Sequence, residues 1–290
     1  MKKTDKTNNR ITLGGVDYPK NNTAVIMMGA LGTKKKEVVE ELLNIEGEVF
    51  GYERGFQDVL KSEKAINYAK SMNKLDITAL DMSDPIDITK AFNALSDHPD
   101  FNRGMPRELS SKIALSDKTN KPNLIFLDKV GDAINYINLS FSLTNKSYDL
   151  KDIHIVWMIE DYNKVVKRNK TADGIRYSDL MLESTHKGIA DTMESILTDP
   201  SYNKYMDGDI WIILDNNEKI RIKEAGKAID RTLLTPELME IIERYKLSVN
   251  PQKNKTSKKE KNREIREKLY REQKQSDVDE LWDEIAKKYY

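Results

Sequence analysis

Four short stretches of this chain are almost purely apolar: TAVIMMG from residue 23, NLIFLD from 123, IHIVWMI from 153 and DIWIILD from 209. A strand with one wet face alternates polar and apolar residues, so runs without alternation are strands covered on both faces. Helical patterns lie between them. Val38, Val39, Leu42 and Leu43 recur at helical spacing, as do Leu182, Ile189, Met193 and Ile196. DPIDITKAFNAL opens with Asp84 as N-cap and Pro85 at the first helical position. Buried strands alternating with helices predict an α/β fold of three layers, with a mostly parallel central sheet between helices.

The boundaries follow from changes in composition. Residues 1–22 are polar and rich in Asn and Lys, which predicts a flexible segment, with ITLGGVDY as a short hairpin around Gly14 and Gly15. The α/β domain spans 23–248 and ends on a helix from about Pro236 to Leu247. A linker, 249–256, contains Pro251. A charged helical tail, 257–290, then opens with Ser257 and Glu260 at capping-box spacing. A second helical start at Ser276 and Asp279 places Val278, Leu281, Trp282, Ile285 and Tyr289 on one face. That face either packs on its own chain or docks on a protein partner through Leu281, Trp282 and Ile285.

Composition excludes several classes of function. There is no cysteine and there are three histidines, His98, His154 and His186, which argues against thiolate chemistry, Cys-based zinc and multi-histidine metal sites. No metal ligands are assigned. No run reaches the ~18 to 20 apolar residues of a membrane span, and MKKTDKTNNR has no apolar stretch behind it to make a signal peptide. The expectation is a cytoplasmic protein. Lys and Arg balance Asp and Glu at 48 each, but a basic excess falls between Lys253 and Lys274, so nucleic-acid binding would be confined to the tail. Glu260, Glu264, Glu267 and Glu272 interleave with those cations and point instead to a solvated helix with intrahelical ion pairs.

The stretch after the first buried strand, GALGTKKKE, has the position of a phosphate-binding loop. Such a loop needs glycines so that backbone N–H groups can wrap phosphate, a lysine to bridge terminal phosphates, and a hydroxyl to hold Mg²⁺. Counting from Gly29, the pattern falls on Gly29, Ala30, Leu31, Gly32, Thr33, Lys34, Lys35 and Lys36. The first glycine and Lys35 are in register. Lys34 stands at the second glycine position, where a positive φ would cost a non-glycine residue on the order of 1 kcal/mol or more. Lys36 replaces the hydroxyl, and a protonated ammonium cannot ligate a metal. Two glycines in a strand-turn-helix junction also occur for purely structural reasons. Three lysines at a helix start oppose its dipole unless an anion is present.

The wider chain carries a resemblance. DIHIVWMIEDYNKVVKRNKTADGIRYSDLMLESTHKGIADTM resembles a strand with a Val-Trp pair, a helix ending in Asn, an arginine-bearing lid and a helix with Thr-His-x-Gly. Here these are Val156 and Trp157, Asn169, and Thr185, His186 and Gly188. KPNLIF at 121 and DIWIILDN at 209 are similar to further strands of the same family, and from about Thr23 to Leu247 the chain resembles the zeta-toxin-like P-loop kinases of phages and bacteria. The resemblance implies a P-loop kinase-like fold, ATP or GTP with Mg²⁺ as cofactor, an Asp after the second strand, another after the Pro-Asn strand, and lid arginines.

This chain departs from that pattern where the chemistry lies. Gly51 or Tyr52 stands in place of the second-strand Asp, leaving Glu53 as the nearest carboxylate; Asp128 is displaced by one residue; Ala172 and Gly174 occupy the lid positions, flanked by Arg168 and Arg176. One expectation is therefore a catalytically degenerate pseudokinase of phage or mobile-element origin that acts as a protein-binding or structural component. The alternative is an active kinase for a nucleotide or nucleotide-sugar acceptor. In it Gly29, Gly32, Thr33, Lys34, Lys35 and Lys36 form the nucleotide loop, Glu53 or Asp128 acts on acceptor or metal, and Arg168 and Arg176 neutralise charge. A third reading is a nucleic-acid-associated factor using Lys34 to Lys36 and the tail. His186 is either a substrate contact or a structural residue, and His154 a core or edge residue.

Overall fold

The computed structural model describes residues 10–13, 16–19, 21–38, 47–102, 119–127, 133–172 and 175–249. The chain divides into two units, Met1–Val249 and Asn250–Tyr290, and every described residue belongs to the first. Asp128, Leu281, Trp282 and Ile285 lie outside the described residues.

Strands β1 (Arg10–Leu13) and β2 (Val16–Pro19) pair antiparallel as a separate two-stranded hairpin. The central sheet has six strands: β3 (Ala24–Met28), β4 (Glu48–Phe50), β5 (Leu124–Phe126), β6 (Ile153–Ile159), β7 (Ile210–Leu214) and β8 (Lys219–Lys223). Their spatial order is β4-β5-β3-β6-β7-β8. The first five are parallel, and β8 closes the edge antiparallel to β7. Counted along the chain, the parallel strands run 2-3-1-4-5, the P-loop kinase-like arrangement.

All four apolar runs are strands of this sheet, and the side chains of β3, β5, β6 and β7 are buried throughout. Alternation sorts them onto two faces. Ala24, Ile26 and Met28 share a core with Ile155, Trp157 and Ile212, while Val25 and Met27 share another with Val156, Met158 and Ile213. Helices α6 (Ala133–Thr144), α8 (Asp179–Thr198) and α9 (Pro236–Val249) contribute Leu139, Met193 and Ile242 to the first core. Val38, the residue after α1 (Lys35–Glu37), packs on the second. The helices between β4 and β5, α2 (Tyr52–Leu60), α3 (Glu63–Met72), α4 (Pro85–Leu95) and α5 (Pro99–Asn102), form a third cluster with Val165 and Leu182. Val165 belongs to α7 (Tyr162–Lys170) and Leu182 to α8.

Local chemistry starts these helices where the sequence places the signals. Asp84 Oδ1 accepts from the Ile86 amide at 2.8 Å with Pro85 following. Asp161 Oδ1 accepts from Asn163 and Lys164 at 2.8 and 3.1 Å, and Ser178 caps α8 through Met181. Each satisfies amides that the first turn leaves without a partner. The segment LDNNEK is the β7–β8 turn, with Asn217 at φ 65°.

A polar network fastens the edge strand at the end of the sheet where β6 and β7 begin. Asp209 Oδ1 accepts from Arg221 Nη2 at 2.8 Å and from the Ala225 amide at 2.7 Å, and the Asp209 amide donates to His154 Nδ1 at 2.9 Å. The fully buried Lys223 ammonium meets the Asp207 carboxylate at 2.9 Å and the Gly208 carbonyl at 3.0 Å. Buried charges persist only when paired and hydrogen-bonded in this way. Gly208 lets β6 approach: a Cβ there would collide with the Ile153 carbonyl oxygen and lie 2.6 Å from its carbon. Backbone cannot give way cheaply, so Gly208→Ala is expected to cost about 2 kcal/mol or more. Urea denaturation of the variant beside the native protein measures that loss.

Candidate functional site

In a parallel sheet of this order, ligands bind outside the carboxyl ends of the strands where the chain switches direction. Here that point is the end of β3, whose neighbours are β5 and β6. The glycine loop 29–34 emerges there. Its two glycines have distinct roles. A Cβ on Gly29 would come within 2.8 Å of Thr33 Oγ1 and 2.9 Å of Lys35 Cγ, so Gly29 leaves room for the loop to fold over itself. Gly32 has φ +75°, and a Cβ there would press on Val165 at 2.9 Å. The left-handed residue of this loop is therefore Gly32. Lys34 has φ −80° and carries no positive-φ strain, which corrects the expectation drawn from its place in the pattern.

The loop is closed around its own groups. The Ala30 carbonyl accepts from Thr33 Oγ1 at 2.7 Å and from Lys35 Nζ at 2.6 Å, while Lys35 Nζ also lies 3.4 Å from Thr33 Oγ1. Lys35 is thus buried, with its ammonium turned into the loop. The Leu31 amide donates to Thr185 Oγ1 at 3.4 Å, and the Lys34 amide to Glu160 Oε2 at 3.3 Å. Lys34 itself is half exposed and pairs with Glu37 at 3.2 Å. Lys36 lies within α1.

Glu160, the residue after β6, was not among the groups singled out in the sequence, and it organises the site. Its carboxylate is nearly buried and receives the Arg168 guanidinium in bidentate geometry, Nη1 to Oε1 at 2.5 Å and Nη2 to Oε2 at 2.9 Å. Arg168 also donates to the Gly32 carbonyl through Nε at 3.2 Å and through Nη2. One carboxylate and one guanidinium thereby hold both sides of the loop's far end. A fork-to-carboxylate pair is the strong, orientation-specific form of this contact.

The remaining candidates are placed apart from this clamp. Arg176 Nε donates to the Ala172 carbonyl at 2.9 Å, and no hydrogen bond or ion pair joins it to the loop among the described residues. Glu53 lies in the first turn of α2, just beyond the carboxyl end of β4. Lys164 of α7 pairs with Asp215 at the end of β7. His186 has no exposed surface; its Nδ1 lies 3.2 Å from Tyr245 Oη, and its ring packs on Tyr162. Its Nε2 and the Trp157 Nε1 are buried without hydrogen-bond partners. Among the described residues, no group of three or more His, Cys, Asp or Glu could hold a metal ion, and no helix is long and apolar enough to cross a membrane.

No protein-family model and no curated protein matches the chain. Among solved structures, the chain is similar to one from the PezAT chromosomal toxin-antitoxin system of Streptococcus pneumoniae. Identity is 11%, the TM-score is 0.43, and the alignment covers 82% of this chain and 89% of that chain. The class of fold rests on the strand order and the loop described above.

Burial sets the protonation of two histidines. Loss of solvent pushes His186 down to about 4, with the nearby Lys35 and Arg168 cations adding. The same cause pushes His154 down to about 4, with Asp209 opposing. Both start from 6.5, so between about pH 4 and 6.5 the unfolded chain binds protons that the native rings refuse. Stability is fully present above that window and falls as pH drops through it, by up to about 1.4 kcal/mol per pH unit for each ring. In urea titrations from pH 7 to 4.5, His186→Phe is expected to show a clearly shallower decline than the native protein.

Proposed function

We propose that this protein is a catalytically silent P-loop kinase-like protein that acts by binding another protein, in a phage or mobile-element setting. The observation that carries the reading is the state of the loop. Its Lys34 amide is already engaged by a carboxylate, its Gly32 carbonyl by Arg168, and its Lys35 ammonium by the loop's own carbonyl. Phosphoryl transfer depends on positioning and charge stabilisation by these groups.

A Mg-nucleotide does not fit the donor set. Lys36 stands at the pattern position of the hydroxyl that would ligate Mg²⁺, and Glu160 sets a carboxylate against the Lys34 amide of the loop. Arg168, the stronger of the two lid arginines as a candidate for neutralising charge, is committed to that carboxylate. Partner binding through Leu281, Trp282 and Ile285 is part of the same proposal, motivated by their shared face in the tail.

The second reading is an active kinase for a nucleotide or related hydroxyl acceptor. It is favoured by the retained Gly29 and Gly32 and by a Lys35 in pattern register whose ammonium reaches the loop's Ala30 carbonyl. Calorimetry with ATP and GTP, each with and without Mg²⁺, separates the two. The silent reading expects no saturable heat and no change in melting temperature, since a ligand at 100 times its Kd would add about 2.7 kcal/mol of stability. A micromolar Kd that Lys35→Ala abolishes would overturn it.

A further inference from the structure

The loop turns its Leu31 and Lys34 amides toward side-chain acceptors on other elements, and a buried N–H needs such a partner. Glu37 meets Lys34 at the surface. Deeper in, among the described residues, the carboxylate that engages a loop amide is Glu160, which is 6% exposed. It touches a backbone amide of the loop and the guanidinium that also grips the Gly32 carbonyl. Its side chain therefore makes the two kinds of contact, amide and arginine, that a tetrahedral oxyanion would make.

We infer that Glu160 is a built-in counter-anion that keeps the glycine loop folded with no phosphate present, and that Arg168 latches this loop to α7. The inference builds on the reading of the loop as silent and goes further, because it names the residue that replaces the ligand. The connectivity is what makes it a latch. Glu160 follows β6, Arg168 lies in the last turn of α7, and the loop follows β3. Three elements that meet at the carboxyl edge of the sheet share one ion pair. Val165, one turn before Arg168, stands where a Cβ on Gly32 would come within 2.9 Å of it.

The test uses the full chain with Glu160→Gln, which keeps the shape and removes the charge, Glu160→Ala, and Glu160→Ala combined with Arg168→Gln. Amide exchange at Lys34 is followed with β3 as an internal control, and melting is followed in chloride and in inorganic phosphate at equal ionic strength. A latch predicts that Glu160→Gln speeds Lys34 exchange at least tenfold while β3 stays protected, and that both single variants melt roughly 5 °C or more below the native protein. Phosphate is expected to restore part of that loss in Glu160→Ala, with no such gain in the native protein or the double variant.

Unchanged Lys34 exchange in Glu160→Gln overturns the latch. So does an equal response to phosphate in the native protein and Glu160→Ala. Should Glu160→Ala fail to fold, the exchange of Glu160→Gln decides alone. Nucleotide binding by the native protein would sink the silent reading while leaving these outcomes as they are, so the two failures are distinguishable.

Discussion

Strand β6 is a seven-residue segment with no side chain left in water, hydrogen-bonded to β3 on one side and β7 on the other. Ile153, Ile155, Trp157 and Ile159 feed one core and Val156 and Met158 the other. A one-residue slip in register would exchange those two sets and leave both cores mispacked. The strand therefore has one position, and with it the two residues that follow are fixed in space. Glu160 reaches the end of β3, and Asp161 caps the helix that returns Arg168 to the same place. The clamp on the glycine loop is a consequence of that register rather than of the loop's own sequence.

Much of this architecture was legible from pattern alone. The apolar runs at 23, 123, 153 and 209 are strands because burial on both faces leaves a mark in composition. The caps at Asp84 and the helix from Pro236 are equally local, and α9 runs two residues beyond Leu247 to Val249. The loop was legible as a loop, while its conformation was not. Positive φ falls on Gly32, the residue where a left-handed backbone is cheap and where Val165 leaves no room for a Cβ. Motif register alone had put that demand on Lys34.

Glu160 was invisible for a different reason. It sits 126 residues from the amide it engages, in a stretch where an acidic pair after a strand reads as an ordinary helix start. Nothing local distinguishes it from Asp161, which is such a start. The signal that could have found it was electrostatic: lysines at a helix N-terminus demand an anion, and a carboxylate at the carboxyl end of a neighbouring parallel strand is the nearest place to look. His186 is the opposite case. Its neighbours in the sequence resemble a substrate-contacting segment, yet Tyr245 and Tyr162 enclose the ring. Local resemblance could not report that a helix near residue 245 would cover it.

These contacts also divide the molecule's charge chemistry between its two ends. Where β6 and β7 begin, Asp209, Arg221, Lys223 and Asp207 are joined by short hydrogen bonds across an edge strand, and the group is spent on holding that strand. At the carboxyl end, Glu160 and Arg168 are joined in a bidentate manner, here around the glycine loop. An ion pair that binds an edge strand adds to stability alone. The pair at the glycine loop differs in position: an anion arriving at the Lys34 amide would meet a carboxylate already held in a nearly buried, paired state. On the proposed silent reading the two features act together: Lys36 stands at the pattern position of a metal-ligating hydroxyl, and Glu160 occupies the Lys34 amide of the loop.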